Sequence, residues 1–142
     1  MPPSAAVLDT SVLISGFLTR GPPRRLLDLA EAGRFRMVLS AVILEEMRRS
    51  LSKPRLMQAY GYPPETIDDF LDSIAVAASV VESDPAFVSR RRDPNDHHVI
   101  ATAVVAAATV IVSGDADLLD LGAHGPIRIL TPRRFLDMLA EP

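Results

Sequence analysis

The chain has 142 residues, of which 48% are hydrophobic, 23% are charged and none is cysteine, and its formal net charge is −3. The apolar content and the small net charge exclude global disorder, and the lack of cysteine excludes disulfide scaffolds, thiolate zinc sites and cysteine nucleophiles. No apolar run approaches the ~18–20 residues that span a bilayer, and no signal peptide opens the chain. We therefore expect a cytoplasmic protein with no membrane segment and a single domain over residues 1–142.

Short apolar runs alternate with longer helical patterns along the chain. In order, the runs are Ala5–Leu8, Arg36–Leu39, Ser79–Val81, Thr109–Val112 and Arg128–Leu130. They are rich in β-branched residues and mostly uninterrupted by polar ones, which is typical of parallel strands covered on both faces. The alternation predicts an α/β fold, a three-layer α/β/α sandwich with a mainly parallel central sheet of about five strands.

Local signals predict where several helices begin. Ser11 and Ser40 can each cap the helix that follows one of the first two runs, and Thr131 with Pro132 offers a cap and a favoured first residue. Residues 93–96 (DPND) predict the start of a long Ala/Val helix that runs to about residue 108.

Two further segments lie between the second and third runs. Residues 66–78 have apolar positions on one helical stripe and predict another helix. Residues 52–64 contain three prolines and predict an irregular excursion or a short helical arm outside the sheet.

Acidic residues follow three of the apolar runs and open one of the helices: Asp9, Glu45 and Glu46, Asp93 and Asp96, and Asp115 and Asp117. Functional residues of open parallel sheets gather at the carboxyl ends of the strands, so these acids should converge on one edge. Carboxylates alone suit Mg²⁺ or Mn²⁺, which can activate water and stabilise charge in a phosphoryl displacement. Without a metal, the repulsion between them should raise at least one of their pKa values.

Most of these acids also have a purely structural explanation. Asp93 and Asp96 are well placed to cap a helix, and Asp117 suits a first helical turn. Asp9 is different, because a carboxylate directly after a buried strand is costly unless something compensates it.

Four segments in this order resemble the signature segments of PIN-domain ribonucleases: residues 8–13 (LDTSVL), 40–47 (SAVILEEM), 96–103 (DHHVIATA) and 113–119 (SGDADLL). The likeness spans about residues 5–137 and is greatest to the VapC-like toxins of bacterial toxin–antitoxin modules. It implies an endoribonuclease dependent on Mg²⁺ or Mn²⁺ that cleaves single-stranded or looped RNA. It further implies a homodimer and a cognate antitoxin protein that blocks the site.

The resemblance also implies roles for individual residues. The acids that match the family's catalytic positions are Asp9, Glu46, Asp96 and Asp115. The acids that match its metal ligands are Asp9, Asp96, Asp115 and Asp117. Ser11 and Ser113 match positions where the family has small hydrogen-bonding residues beside the acids.

Two features of the motifs depart from the family pattern. Glu45 precedes Glu46, so the second acid is ambiguous by one residue, and only one of the two can face the cleft. We assign Glu46 because it precedes the apolar Met47. His97 and His98 lie outside the shared pattern, and a polar first helical turn explains them better than metal ligation.

Arginine supplies every cation except Lys53, the only lysine. Its planar fork suits phosphate, so clustered arginines are the candidates for RNA binding: Arg20, Arg24, Arg25, Arg90, Arg91 and Arg92. The negative net charge argues against a broad basic surface, and solvated arginines explain the clusters equally well.

Two other functions fit parts of the sequence. A phosphatase of the haloacid-dehalogenase type would use Asp9 as nucleophile, but it needs a second Asp where Ser11 stands and a catalytic lysine. A non-catalytic PIN-like module that binds RNA or protein would be expected to have lost some of the acids, whereas all four positions are filled.

Overall fold

The computed structural model describes residues 4–82 and 94–140, and the side chains of these residues except at 94–97. Six strands lie in this part of the chain: β1 (Ala5–Leu8), β2 (Arg36–Ser40), β3 (Ser79–Val81), β4 (Val110–Val112), β5 (Ala123–His124) and β6 (Ile127–Leu130). They form one sheet in the order β3-β2-β1-β4-β6-β5, parallel throughout except for the antiparallel pair β5 and β6. All five apolar runs are strands, with bounds within one residue of those predicted.

β5 is the difference from the predicted sheet of about five strands. It has two residues and returns antiparallel to β6 across Gly125 and Pro126. Gly125 has a φ of +58°, which glycine adopts without the steric cost that a side chain brings, so it permits this tight turn. Two residues carry no recognisable apolar run, so no pattern in the sequence indicates this strand.

Eight helices lie in the described residues: α1 (Thr10–Leu18), α2 (Pro22–Glu31), α3 (Ala41–Leu51), α4 (Pro54–Tyr60), α5 (Pro64–Ala77), α6 (Pro94–Val105), α7 (Ala116–Leu121) and α8 (Pro132–Ala140). α1, α2, α3, α5 and α8 pack against one another, whereas α6 packs on β1, β2 and β4. This grouping agrees with a layered α/β architecture. No helix in this part of the chain combines the length and apolar character needed to cross a membrane.

Two of the predicted helix caps are confirmed. The Ser40 Oγ accepts a hydrogen bond from the Ile43 backbone N–H at 3.1 Å and begins α3. The Thr131 Oγ1 accepts one from the Arg134 backbone N–H, also at 3.1 Å, and begins α8.

The prediction that Ser11 caps the first helix is wrong. α1 begins at Thr10, and its N-cap is Asp9, whose Oδ1 accepts a hydrogen bond from the Thr10 backbone N–H at 2.7 Å. Aspartate caps as well as serine does, and Asp9 comes first after the strand. Ser11 therefore lies inside the first turn.

Three other boundaries refine the predictions. α5 begins at Pro64, two residues before the predicted start, because proline suits the first helical position. α4 is the short helical arm predicted within residues 52–64. α6 ends at Val105, and Ala107 takes a left-handed φ of +53° just beyond it, so the helix stops short of residue 108. Asp93, predicted to cap α6, lies outside the described residues.

The sheet places the carboxyl ends of its central strands side by side. In β1, residues 6–8 are wholly buried, and the chain then leaves the core at Asp9. The ladder continues past the strand ends, since the Asp9 N–H donates to the Val112 carbonyl at 2.9 Å and the Ser113 N–H donates to the Leu130 carbonyl at 3.0 Å. Asp9 and Ser113 therefore leave adjacent strands at the same edge.

We expect Ser40→Ala to lower the free energy of unfolding by about 1 kcal/mol, because the N–H of the buried Ile43 loses its acceptor. Ser40→Thr keeps the hydroxyl and should retain most of the stability. Urea unfolding measures the difference. Ser52→Ala, at the exposed end of the same helix, is the control and should cost less than ~0.5 kcal/mol. Equal losses for the two alanine variants would contradict the capping role.

Candidate active site

Asp9 and Asp115 are joined through the hydroxyl of Ser113. The Ser113 Oγ donates a hydrogen bond to the Asp9 Oδ2 at 2.7 Å and accepts one from the Asp115 backbone N–H at 3.0 Å. Ser113 is fully buried, so its hydroxyl needs both partners. The bond links the end of β1 to the loop after β4 and holds the two aspartates at one edge of the sheet.

Asp115 also begins a helix. Its Oδ1 accepts a hydrogen bond from the backbone N–H of Asp117 at 3.1 Å, which makes it the N-cap of α7. Asp117 lies in the first turn of that helix and is exposed. The structural explanation of an acid at a helix start therefore fits both residues, and the segment that carries them follows β4 at the same edge as Asp9.

Glu46 reaches this edge from α3. Its Oε1 accepts a hydrogen bond from the Thr10 Oγ1 at 2.8 Å and lies 3.1 Å from the His98 Nε2. Glu45 is exposed, because consecutive helical residues point about 100° apart. Glu46, rather than Glu45, is therefore hydrogen-bonded to Thr10, the residue that follows Asp9.

Sequence reasoning missed the part played by His98. This residue was interpreted with His97 as a polar helix turn, yet its side chain is buried, with 7% of its surface exposed. Ala101 and Thr102, three and four residues further along α6, are wholly buried as well. That spacing could have indicated that His98 lies on the core side of the helix.

The pKa of Asp9 is raised above its ordinary value of 3.8. Burial is the largest cause, since it disfavours the charged form. The hydrogen bonds from Ser113 and Thr10 and the proximity of His98 act in the opposite direction without cancelling it, and repulsion from Glu46 adds least. A raised pKa was expected in the acidic cluster, but loss of solvent contributes more to it than like-charge repulsion.

Four of the candidate residues lie wholly or partly outside the described part of the chain. Asp96 belongs to the first turn of α6, but its side chain is not among those described. Arg90, Arg91 and Arg92 lie outside the described residues. Ser11 is exposed on the first turn of α1, beside Gly114, where an added Cβ would lie 3.8 Å from the Ser11 Oγ.

The other three candidate arginines share one crevice. Arg20, Arg24 and Arg25 line a cavity of about 520 Å³ at the junction of α1 and α2, together with Asp28. All three are exposed, and the Arg24 Nε lies 3.9 Å from the Asp28 Oδ1. The crevice is at the opposite end of α1 from Asp9, so these arginines do not contact the acids at the sheet edge.

The donor set at the sheet edge suits a hard cation. Asp9, Glu46 and Asp115 offer only carboxylate oxygens, the ligands that Mg²⁺ and Mn²⁺ prefer. Within residues 4–82 and 94–140, with the side chains of 94–97 left aside, no three His, Asp or Glu side chains lie close enough to share an ion. A shared ion would therefore need Asp96 or a movement of the described acids.

The family profile described as the PIN domain matches residues 5–117. The chain belongs to the PIN domain family. The match includes Asp9, Glu46, Asp96 and Asp115 and extends to Asp117. PIN domains are generally nucleases that use divalent metal ions.

Two solved structures share this PIN fold. One is VapBC2 from Rickettsia felis, bound to a DNA fragment from the promoter of VapBC2, which superposes on this chain with a TM-score of 0.61. The two sequences are 11% identical, and the match covers 88% of this chain and 96% of that one. FitAcB from Neisseria gonorrhoeae superposes with a TM-score of 0.61 and 16% identity over 90% of this chain and 98% of that one. No protein of curated function matches the sequence.

The raised pKa of Asp9 predicts how the metal-free protein responds to pH. The stability gained from the protonated carboxyl is present below pH 3.8 and is lost as the pH rises through the higher pKa of the folded state. At pH 7 in EDTA, Asp9→Asn should therefore be at least as stable as the wild type, although most substitutions near a core cost ~1 kcal/mol. Urea unfolding measures this.

The difference in stability should shrink as the pH falls below 3.8, because the wild-type carboxyl is then neutral in both states. Asp120→Asn, the same exchange at an exposed position of α7, is the control and should change little. A wild type that exceeds Asp9→Asn in stability at pH 7 in EDTA would contradict the argument.

Proposed function

We propose that this PIN domain is a metal-dependent endoribonuclease that hydrolyses phosphodiester bonds in single-stranded or looped RNA, and that it is the toxin of a toxin–antitoxin module. The observation that carries the proposal is the acidic edge of the sheet, where Ser113 links Asp9 to Asp115 and Thr10 bonds Glu46. Membership of a family of nucleases supports it.

Mg²⁺ or Mn²⁺ is the proposed cofactor, held by Asp9, Asp96 and Asp115, with Asp117 as a further ligand. When bound, such an ion lowers the pKa of a bound water and neutralises charge on a phosphate. The partial burial of Asp9 favours cation binding, because a cation offsets the cost of an ionised carboxylate there.

The chain's own residues have distinct parts in this proposal. The Ser113 hydroxyl orients the Asp9 carboxylate, and its contact with the Asp115 backbone holds the loop after β4 in place. Glu46 is the group that accepts a proton from the attacking water. Its Oε2 suits this, because Thr10 and His98 both contact Oε1.

An antitoxin and RNA are the proposed partners. Support for the antitoxin comes from the two solved structures, of VapBC2 and FitAcB, whose fold this chain shares. For RNA, Arg20, Arg24 and Arg25 could bind phosphates along the crevice between α1 and α2, with Arg90–Arg92 as further candidates. A homodimer completes the proposal.

The two alternative functions are less well supported. For a phosphatase of the haloacid-dehalogenase type, Lys53 would have to reach Asp9, but it is exposed at the start of α4. A non-catalytic module remains the second candidate, and the presence of all four acids argues against it.

Metal-dependent cleavage of a generic single-stranded RNA tests the proposal. We expect Glu46→Gln to lower cleavage by several orders of magnitude, because the amide keeps the shape and loses the charge. Asp9→Asn should have a similar effect. Glu45→Gln is the matched control, since this neighbouring side chain is exposed and away from Thr10, and it should cleave like the wild type.

Two results would count against this assignment. Equal losses of RNA cleavage in Glu45→Gln and Glu46→Gln would mean that the Glu46 carboxylate does not act from its position beside Thr10. No cleavage by the wild type with Mg²⁺ or Mn²⁺ would favour the non-catalytic module.

Metal binding by Asp96 is tested separately by thermal unfolding. An ion that binds only the folded state at a hundredfold excess over its Kd stabilises the protein by about 2.7 kcal/mol. We expect the wild type to gain most of this with millimolar Mn²⁺ and Asp96→Asn to gain little. In EDTA the variant should be nearly as stable as the wild type, because a carboxylate in the first turn of a helix adds only about 0.3–1 kcal/mol. Equal responses to Mn²⁺ would leave Asp96 with a purely structural role at the start of α6.

A further inference from the structure

His98 brings a contact to Glu46 from a residue that is not one of the acids of the proposed site. Its imidazole is buried under α6, which packs on β1, β2 and β4, and the Nε2 lies 3.1 Å from the Glu46 Oε1. Its Nδ1 is also buried and has no hydrogen-bond partner in the described structure. Glu46 thus lies within hydrogen-bond reach of the His98 ring.

The chemistry of the pair determines which atom donates. An ionised carboxylate can only accept a hydrogen bond, so the His98 Nε2 carries a hydrogen and donates a hydrogen bond to the Glu46 Oε1. In the neutral ring Nδ1 is then an acceptor without a donor. A buried polar atom without a partner destabilises the fold, so packing alone would favour an apolar residue at this position.

Two donors meet on one oxygen of Glu46. The Thr10 Oγ1 and the His98 Nε2 both contact Oε1, at 2.8 Å and 3.1 Å. Thr10 directly follows Asp9, and His98 lies two residues after Asp96 on α6. The position of the glutamate is thereby tied to the segments that carry two of the other acids.

We propose that His98 is a positioning residue, which holds the Glu46 Oε1 through its Nε2–H so that Oε2 is available to the attacking water. The inference rests on the proposed nuclease function and adds a residue outside the family's acids. Groups that orient metal-site carboxylates in this way typically change metal affinity or activity by 10–100-fold when removed.

Three substitutions of His98 separate positioning from packing. His98→Gln places an amide N–H at about the reach of Nε2, whereas His98→Asn places the same group at about the reach of Nδ1. His98→Leu fills the space without a donor. If the residue only fills the core, the leucine variant should be the most active of the three and RNA cleavage should follow stability.

We expect His98→Gln to cleave RNA with a kcat within about threefold of the wild type, and His98→Asn and His98→Leu to have a kcat about 10–100-fold lower at an unchanged KM. Mn²⁺ binding, measured by calorimetry, should change little in all three variants, because Glu46 is not one of the proposed metal ligands. In the Glu46→Gln background, His98→Asn should add little to the loss of cleavage, because the carboxylate it would position is gone. Equal behaviour of the glutamine and asparagine variants, or additive losses with Glu46→Gln, overturns the proposal.

A metal-free measurement keeps this result separate from the nuclease proposal. In EDTA, nitrogen-edited NMR should show His98 as the Nε2–H tautomer, with a ring proton protected from exchange that becomes unprotected in Glu46→Ala. If the wild type neither binds Mn²⁺ nor cleaves RNA but shows this proton, the nuclease function fails while the hydrogen bond stands. If the proton is absent, or is unaffected by Glu46→Ala, His98 does not hold Glu46.

Discussion

A carboxylate at the end of a buried central strand is the constraint on which the rest of this structure depends. β1 lies in the middle of the sheet with its last three residues wholly buried, and Asp9 follows them directly. Burial raises the pKa of Asp9 despite the hydrogen bonds that it accepts from Ser113 and Thr10. A folded chain keeps such a group only where neighbouring donors or a cation compensate for lost solvent. Ser113, which follows β4, and the backbone of Thr10 in α1 supply those donors in part.

The residues around Asp9 form one connected set of hydrogen bonds. Ser113 joins Asp9 to Asp115, and Thr10 joins the segment of Asp9 to Glu46. His98 contacts Glu46 from α6. Each donor comes from a different element, so the arrangement exists only when sheet and helices are assembled. Hydrogen-bond networks of this kind can contribute more than their separate pairs, because each bond polarises the next.

The comparisons show that this fold is compatible with very different sequences. At 11% and 16% identity, the two solved structures share little sequence with this chain, yet the superpositions cover about nine-tenths of it. Apolar strand positions tolerate exchange among residues of similar size. A side-chain hydrogen bond has less freedom, because it depends on particular atoms at particular distances.

Much of the fold and of the site can be predicted from the sequence, because apolar runs and helix caps are local signals. They located five strands and two of the three caps that fall on described residues, and they placed Asp9 and Asp115 at strand ends. These local signals did not indicate strand β5, since a two-residue strand depends on pairing with β6 rather than on its own residues.

Only the tertiary structure showed the directions of the Glu45 and Glu46 side chains, although the sequence assigned Glu46 from the apolar Met47 that follows it. It alone showed that Asp9, rather than Ser11, caps α1, and that the pKa of Asp9 is raised mainly by burial. It also brought together His98 and Glu46, which are 52 positions apart in the sequence and 3.1 Å apart in space. Contacts between distant segments and loss of solvent are properties of the packed chain, so no local signal in the sequence contains them.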